Sequence, residues 1–374
     1  MPYVTSVEGL RAYQYVASDA SLIFRHVLTP MNEALISFMP RWVAPNVITL
    51  TGLSAVSAAL VATGMYTERL TGEAPRWLFA LDAVALFAYQ TLDNLDGKQA
   101  RRTRSSSPLG LLFDHGCDAM NCTIGALTLS LVLQTGAGWR SLLLWQNAAW
   151  PFMFATWESL HVGGMHLPAF NGPTEGLIIV MLLYLFTSTL GNGFWLREGD
   201  FISGYKNHDL VVFISSIMAA NACLNNVIQV YQSASRKMPF GQAIAQLWPF
   251  TALCTCIWLW VDAVETHPWM VFWILGLLFC KMVMHTILAH VCHQRLQLLR
   301  KTVVATAALV AGHIAGEGIL GRPLSDAEHH AAIVGTFLLV VTSYLHMVVS
   351  LSRECCEILG IKVFVIPYSA AHKD

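Results

Sequence analysis

The sequence predicts an all-α, polytopic membrane protein of about ten transmembrane helices behind an N-terminal interfacial amphipathic helix. Three observations carry this. First, 55% of the 374 residues are hydrophobic and 12% are charged, against about 25% charged in a soluble domain. Second, the apolar residues gather into runs of about 20, enough for a helix to cross the hydrocarbon core. Third, Lys and Arg are shared unevenly between alternate connections of those runs, as in proteins oriented across a bilayer.

The runs lie at 43–65, 77–97, 109–133, 141–161, 175–195, 209–231, 244–262, 268–290, 303–320 and 331–352. Lys281 and His285 interrupt the eighth and His313 the ninth. No internal repeat or low-complexity linker divides the chain, so one helical domain is expected. Residues 1–42 differ. They mix Leu22, Ile23, Phe24, Val27 and Leu28 with Arg11, Asp19, Arg25 and Arg41, a pattern suited to one or two helices lying on the membrane surface. The first residues contain no long apolar run and do not resemble a cleavable signal peptide.

With the N-terminus placed in the cytosol, fifteen Lys and Arg fall on the cytosolic side, six on the other, and Lys281 inside a span. Both termini and the link at 98–108 are then cytosolic. A net charge of −1 argues against a nucleic-acid binder. The nine cysteines include no CxxC pair and suggest neither a disulfide framework nor a zinc site.

The segment with most chemistry is QTLDNLDGKQARRTRSSSPLGLLFDHGCDAM, residues 90–120. Asp93 and Asp96 are three apart and share a helix face, and Asp114 and Asp118 are four apart on the next helix. The polar link 102–108 is short enough to lay the two helices side by side, so four carboxylates converge at membrane depth. Ionised groups there are costly, and four repel one another, so a cation must neutralise them. All-oxygen ligation without cysteine favours a hard ion such as Mg²⁺ or Mn²⁺ over zinc, and two ions would suit a pyrophosphate. Gly97 and Gly110 allow close backbone approach, Ala100 adds a small residue, and Arg101 can pair with phosphate.

Together these residues form D-x2-D-G-x2-A-R-x8-G-x3-D-x3-D, from Asp93 to Asp118. The pattern resembles the signature of the CDP-alcohol phosphotransferase family at every fixed position and gap. APNVITLTG at 44–52 and NGPTEG at 171–176 narrow the resemblance to the eukaryotic choline/ethanolamine phosphotransferases, over nearly the whole chain. The resemblance implies transfer of phosphocholine or phosphoethanolamine from CDP-choline or CDP-ethanolamine to diacylglycerol, giving phosphatidylcholine or phosphatidylethanolamine and CMP, the last step of the Kennedy pathway. It also implies use of Mg²⁺ or Mn²⁺, a homodimer, and residence in the endoplasmic reticulum or Golgi with the site facing the cytosol.

Carried over residue by residue, Asp93, Asp96, Asp114 and Asp118 would hold the metals. Gly97, Ala100, Arg101 and Gly110 would contact the nucleotide and phosphates. Asn46, after Pro45, would lie near the cytidine, although an Asn at a helix start also suits a cap. The acceptor hydroxyl needs a base. Asp118 is one candidate and His115 the other, with Glu175 as a partner orienting His115; Glu175 also suits a helix N-terminal carboxylate. Residues 1–42 then form the interfacial part, 43–231 the catalytic helices in about six spans, and 232–374 about four more spans and a cytosolic tail.

Asp82 and Lys281 are further intramembrane charges that could line a lipid or nucleotide path. Trp157, Glu158 and His161 could shape a head-group pocket by cation–π contact. The readings that compete are a transporter or ion channel, and a related transferase with another head group or acceptor. The first leaves the Gly, Ala and Arg positions between the aspartates unexplained.

Overall fold

The computed structural model describes residues 2–13, 17–167, 172–200, 202–236, 238–296, 301–320, 322 and 324–366. Its helices, in chain order, are α1 (Val7–Ala12), α2 (Thr29–Phe38), α3 (Pro45–Gly64), α4 (Arg76–Arg102), α5 (Pro108–Leu133), α6 (Trp139–Val162), α7 (Pro173–Leu190), α8 (Asn207–Gln232), α9 (Phe240–Ile244), α10 (Trp248–Trp258), α11 (Val261–Thr266), α12 (Pro268–Val291), α13 (Lys301–Leu320) and α14 (Asp326–Leu359). The sole strand pairing among the described residues is parallel, β1 (Ala17–Asp19) on β2 (Met165–Leu167). Six helices are long and apolar enough to cross a membrane: α3, α5, α7, α8, α12 and α14. The protein is therefore an integral membrane protein of helical class.

Local sequence explains the helix ends that matter. Proline occupies the first turn of α3, α5 and α7, where its missing N–H costs nothing. Ser107 caps α5 by accepting from the Gly110 amide at 3.1 Å. The end of α4 closes in a Schellman pattern: Arg104 takes a left-handed φ of 53°, and Ser105 N–H donates to the Ala100 carbonyl at 2.9 Å. That turn reverses the chain within the link 103–107 and joins the end of α4 to the start of α5, with α3 packed against both. The segment expected as the seventh span, 244–262, is instead broken into α9, a 3-10 turn, α10 and α11. Trp260, outside helical backbone at φ −114°, separates α10 from α11.

Hydrogen bonds sort the connections into two ends of the bundle. At one end, Gln99 Nε2 donates to the Pro40 and Val43 carbonyls, both at 2.9 Å. Arg102 donates to Met39 O at 2.9 Å, Asn46 to Val363 O at 2.8 Å, and Arg11 to Ile358 O at 3.0 Å. At the other end, Gly72 N donates to Gln134 at 3.2 Å, Asn192 to Gly72 O at 2.8 Å, and Arg76 to Thr189 O at 3.0 Å. The aspartate link thus lies on the same end as the segments before α3 and after α14.

Helix α12 runs through the centre and buries nearly all of its length, so it supports the site from behind. Its Gly276 lets α5 approach: a Cβ there would meet Thr123 Oγ1 at 2.4 Å. Lys281 satisfies its charge within the bundle by donating to the Ser343 carbonyl on α14 at 3.1 Å. The 1–42 region folds as α1, β1, a π turn at Phe24–Leu28 and α2. Leu22, Val27, Phe38 and Trp42 are exposed there, which suits contact with a lipid surface.

Candidate active site

Along α4, positions 82, 86, 89, 93, 96 and 100 fall on one helix face; along α5, positions 110, 114, 118, 121, 125 and 128 do. The hairpin turns these faces together. Carboxylate oxygens of Asp93, Asp96 and Asp114 lie within 4.8 Å of one another, as do ligand atoms of Asp114, His115 and Asp118. All four aspartates expected from the sequence are therefore in one cluster. Asp96 and His115 are buried, and Asp93, Asp114 and Asp118 are half-buried.

Neighbouring helices hold the carboxylates in place. Thr49 of α3 donates its hydroxyl to Asp96 Oδ2. Tyr89, one turn before Asp93 on α4, donates to Asp118 Oδ1 at 2.5 Å. Sequence reasoning missed both residues. Tyr89 was detectable as i−4 from Asp93 on the same face; Thr49, inside APNVITLTG, had no signal beyond proximity to Asn46. Asp93 Oδ1 and Asp114 Oδ1 are buried and lack hydrogen-bond partners. Orphaned acceptors inside a crowded carboxylate cluster are costly, and a hard cation satisfies them together. The donor set, all oxygen apart from the His115 ring, fits a metal ion of that kind.

The other expected residues divide. Gly110 faces the start of α3: a Cβ there would stand 3.6 Å from Ser107 Oγ and 3.9 Å from Asn46 Oδ1. Asn46 is the second residue of α3, not its cap, which is Ala44; its amide instead anchors Val363. Gly97 and Arg101 stand together, with the Arg101 guanidinium 3.5 Å from where a Gly97 Cβ would be. Arg101 is exposed and Ala100 half-buried on the same turn. The site therefore has a mouth between the first turns of α3 and α5 and the last turn of α4.

His115 Nδ1 lies 3.5 Å from Asp114 Oδ2, an ion-pair distance too long for a firm hydrogen bond. Its ring packs edge-on against Phe152 of α6 at 6.4 Å between centroids. Glu175 does not join it among the described hydrogen bonds. One Glu175 oxygen accepts from Ser21 at 2.5 Å and the other from Gly172 N–H at 3.1 Å. Both oxygens are thus engaged at the start of α7, which matches the N-terminal carboxylate reading and ties the segment before α2 to the bundle. Trp157, Glu158 and His161 have partners of their own. They bond to Ala243 O at 2.9 Å, Asn226 at 2.5 Å and Gln246 at 2.9 Å, holding α6 to α8, α9 and the 3-10 turn after α9.

The sequence that builds this site is similar to those of known proteins. The family model for CDP-alcohol phosphatidyltransferase matches residues 42–202, which contain the cluster, the mouth and Glu175. A Dictyostelium discoideum protein of the CDP-alcohol phosphatidyltransferase class-I family is 32% identical over 97% of this chain and 97% of its own length. The chain belongs to the CDP-alcohol phosphatidyltransferase family. Within it, a choline/ethanolaminephosphotransferase of Arabidopsis thaliana is 33% identical over 96% of this chain and 97% of its own length. One of Saccharomyces cerevisiae is 32% identical over 68% and 69%. Family membership makes the chain a transferase of phospholipid biosynthesis, and it makes the aspartate hairpin the place to look for its chemistry.

Proposed function

We propose that this enzyme transfers phosphocholine or phosphoethanolamine from CDP-choline or CDP-ethanolamine to diacylglycerol, releasing CMP and phosphatidylcholine or phosphatidylethanolamine. One observation carries the reading: the four aspartates of a complete family motif converge in one cluster, in a chain that matches a choline/ethanolaminephosphotransferase along nearly its full length.

Asp93, Asp96, Asp114 and Asp118 would hold Mg²⁺ or Mn²⁺, two ions shared by four carboxylates. When bound, such ions neutralise pyrophosphate charge and stabilise the departing phosphate. The chain's own residues do the rest. The N-termini of α3 and α5 both lie at the mouth, and their positive dipole ends favour an anion there. Gly97 and Gly110 leave that approach open, Arg101 supplies a forked donor for phosphate, and Asn46 Oδ1 stands where the cytidine would be read. The diacylglycerol hydroxyl attacks the phosphorus carrying the alcohol, its proton passes to a base, and the P–O bond to CMP breaks. His115 is the better base. Asp118 already accepts a 2.5 Å hydrogen bond from Tyr89, which lowers its basicity, whereas His115 is buried beside the cluster. Glu175 acts at one remove, fixing the start of α7 and the chain around Ser21.

Ten crossings are part of the proposal. Helices α4, α6 and α13, and the broken run α9 to α11, would join the six apolar spans; the alternation of the two bundle ends supports that count. The positive-charge bias places the aspartate end in the cytosol. A homodimer, residence in the endoplasmic reticulum or Golgi, and the division into 1–42, 43–231 and 232–374 follow from the resemblance.

The test is an assay of purified enzyme with diacylglycerol and labelled CDP-choline or CDP-ethanolamine, in Mg²⁺, Mn²⁺ or chelator. Labelled phospholipid and CMP should form only with metal. No lipid product with either donor overturns the assignment.

A further inference from the structure

The faces of α4 and α5 that carry the aspartates continue away from them into a second polar place. A small cleft lies between α3, α4, α5 and α7, with Asp82, Asn121, Thr128 and Tyr184 as its polar lining and Gly125 on its wall. Asp82 is 11 positions before Asp93, so it sits roughly 16 Å along α4 from the metal cluster. Asp82, Asn121 and Tyr184 are 2%, 7% and 1% exposed. Asp82 Oδ2 accepts from Thr63 at 2.9 Å. Asp82 Oδ1, Asn121 Oδ1 and Tyr184 Oη are buried and have no hydrogen-bond partner. Gly125 presents its open side to the space, where a Cβ would meet nothing within 4 Å.

We propose that this cleft is a binding site for a small monovalent cation, sodium in type, held by Asp82 Oδ1, Asn121 Oδ1, Tyr184 Oη and the Thr128 hydroxyl oxygen. Three arguments lead there. The orphaned atoms are all oxygens, the ligands of a hard cation. Asp82 Oδ1 and Asn121 Oδ1 are both acceptors and cannot bond each other, and Tyr184 Oη bonds to neither. An ion of calcium's size, which sodium shares, takes several oxygens at about 2.4 Å and so serves acceptors that have no donor between them. Charge selects the valence: Asp82 is the one ionisable carboxylate lining the cleft and no Lys, Arg or His lines it. A single positive charge balances it, whereas a divalent ion would leave a net charge at membrane depth, where charge is costly. A proton on Asp82 would also balance the charge, but as a single hydrogen bond it would join at most two of the three orphaned oxygens. An occupied cleft locks together the four helices that carry the catalytic face, so the ion would stabilise the fold the reaction depends on. The inference is independent of the substrate assigned above.

The experiment uses full-length enzyme in nanodiscs of neutral lipid, with chelator to remove divalent ions. Sodium chloride is exchanged for N-methyl-glucamine chloride at constant ionic strength while thermal unfolding is followed. Wild type should gain about 3 °C in Tm once sodium is tenfold above its Kd, with saturation and little response to N-methyl-glucamine. Asp82→Asn and Gly125→Leu, which fills the cleft without touching the carboxylate, should lose the response. Asp93→Asn should keep it, which separates this site from the aspartate cluster. Retention of labelled sodium by wild-type protein, one ion per chain, provides a reading that needs no variant. A wild type that neither gains Tm nor retains sodium overturns the proposal and leaves Asp82 with a proton. So does a response that survives in Asp82→Asn or vanishes in Asp93→Asn.

Discussion

Replacing Tyr89 by Phe removes one atom from the support of the aspartate cluster. The Tyr89 hydroxyl donates to Asp118 Oδ1 at 2.5 Å, and the ring is 2% exposed, so the substitution leaves packing almost intact. A hydrogen bond to a charged acceptor contributes about 1.5–3 kcal/mol. At about 1.4 kcal/mol per factor of ten, that is roughly 10- to 150-fold. Partners that orient metal ligands commonly act in the same range, roughly 10–100-fold in affinity or activity. The loss should fall on metal dependence: the Mg²⁺ or Mn²⁺ concentration for half-maximal turnover rises at least tenfold, and Tm moves little. The assay is phospholipid formation by purified Tyr89→Phe enzyme across a metal titration, with Tyr66→Phe as a control at an exposed position. A metal dependence within twofold of wild type would refute the claim that Tyr89 sets the orientation of Asp118.

Three further outcomes follow from named contacts. Replacing His115 with Ala should abolish turnover while leaving CDP-alcohol binding, read by equilibrium binding of labelled donor; near-normal turnover returns the role of base to Asp118. Asn46→Ala removes the bond to Val363 O and the carboxamide facing Gly110, so KM for the CDP-alcohol should rise about fivefold, the effect of roughly 1 kcal/mol, with KM for diacylglycerol unchanged. Gly276→Ala drives a methyl against Thr123 on α5, a β-branched residue that is stiff in a helix; overpacking of about 1–3 kcal/mol should lower Tm by several degrees, and an unchanged Tm would show that α12 can yield there.

The hairpin was legible because its information is local. Asp93, Asp96, Asp114 and Asp118 announce their faces by spacing alone, and a short polar link ending in Ser107-Pro108 keeps the aspartate-bearing turns of α4 and α5 close together. Glu175 was not legible in the same way. Its segment signals a helix start, but whether its carboxylate reaches His115 depends on what else competes for it. Ser21, 154 positions away in sequence, takes one oxygen, and no pattern in either segment announces that contact. The break within the expected seventh span was hidden for a related reason. Its composition is apolar enough, but backbone geometry at Trp260 interrupts the helix, and hydropathy does not report backbone geometry.

Composition and periodicity by themselves determined that the chain is helical and embedded in a membrane, because lipid admits few polar groups and a helix satisfies its own backbone. Spacing determined that four carboxylates share one place. The tertiary structure alone decided that Thr49 serves Asp96 and that Tyr89, although its face is legible, reaches Asp118 on the next helix. It alone decided that Lys281 is satisfied by Ser343 on another helix, and that Asp82, Asn121 and Tyr184 meet in one cleft. Those residues come from three helices, and contacts between helices depend on rotation and depth, which no single run of sequence encodes.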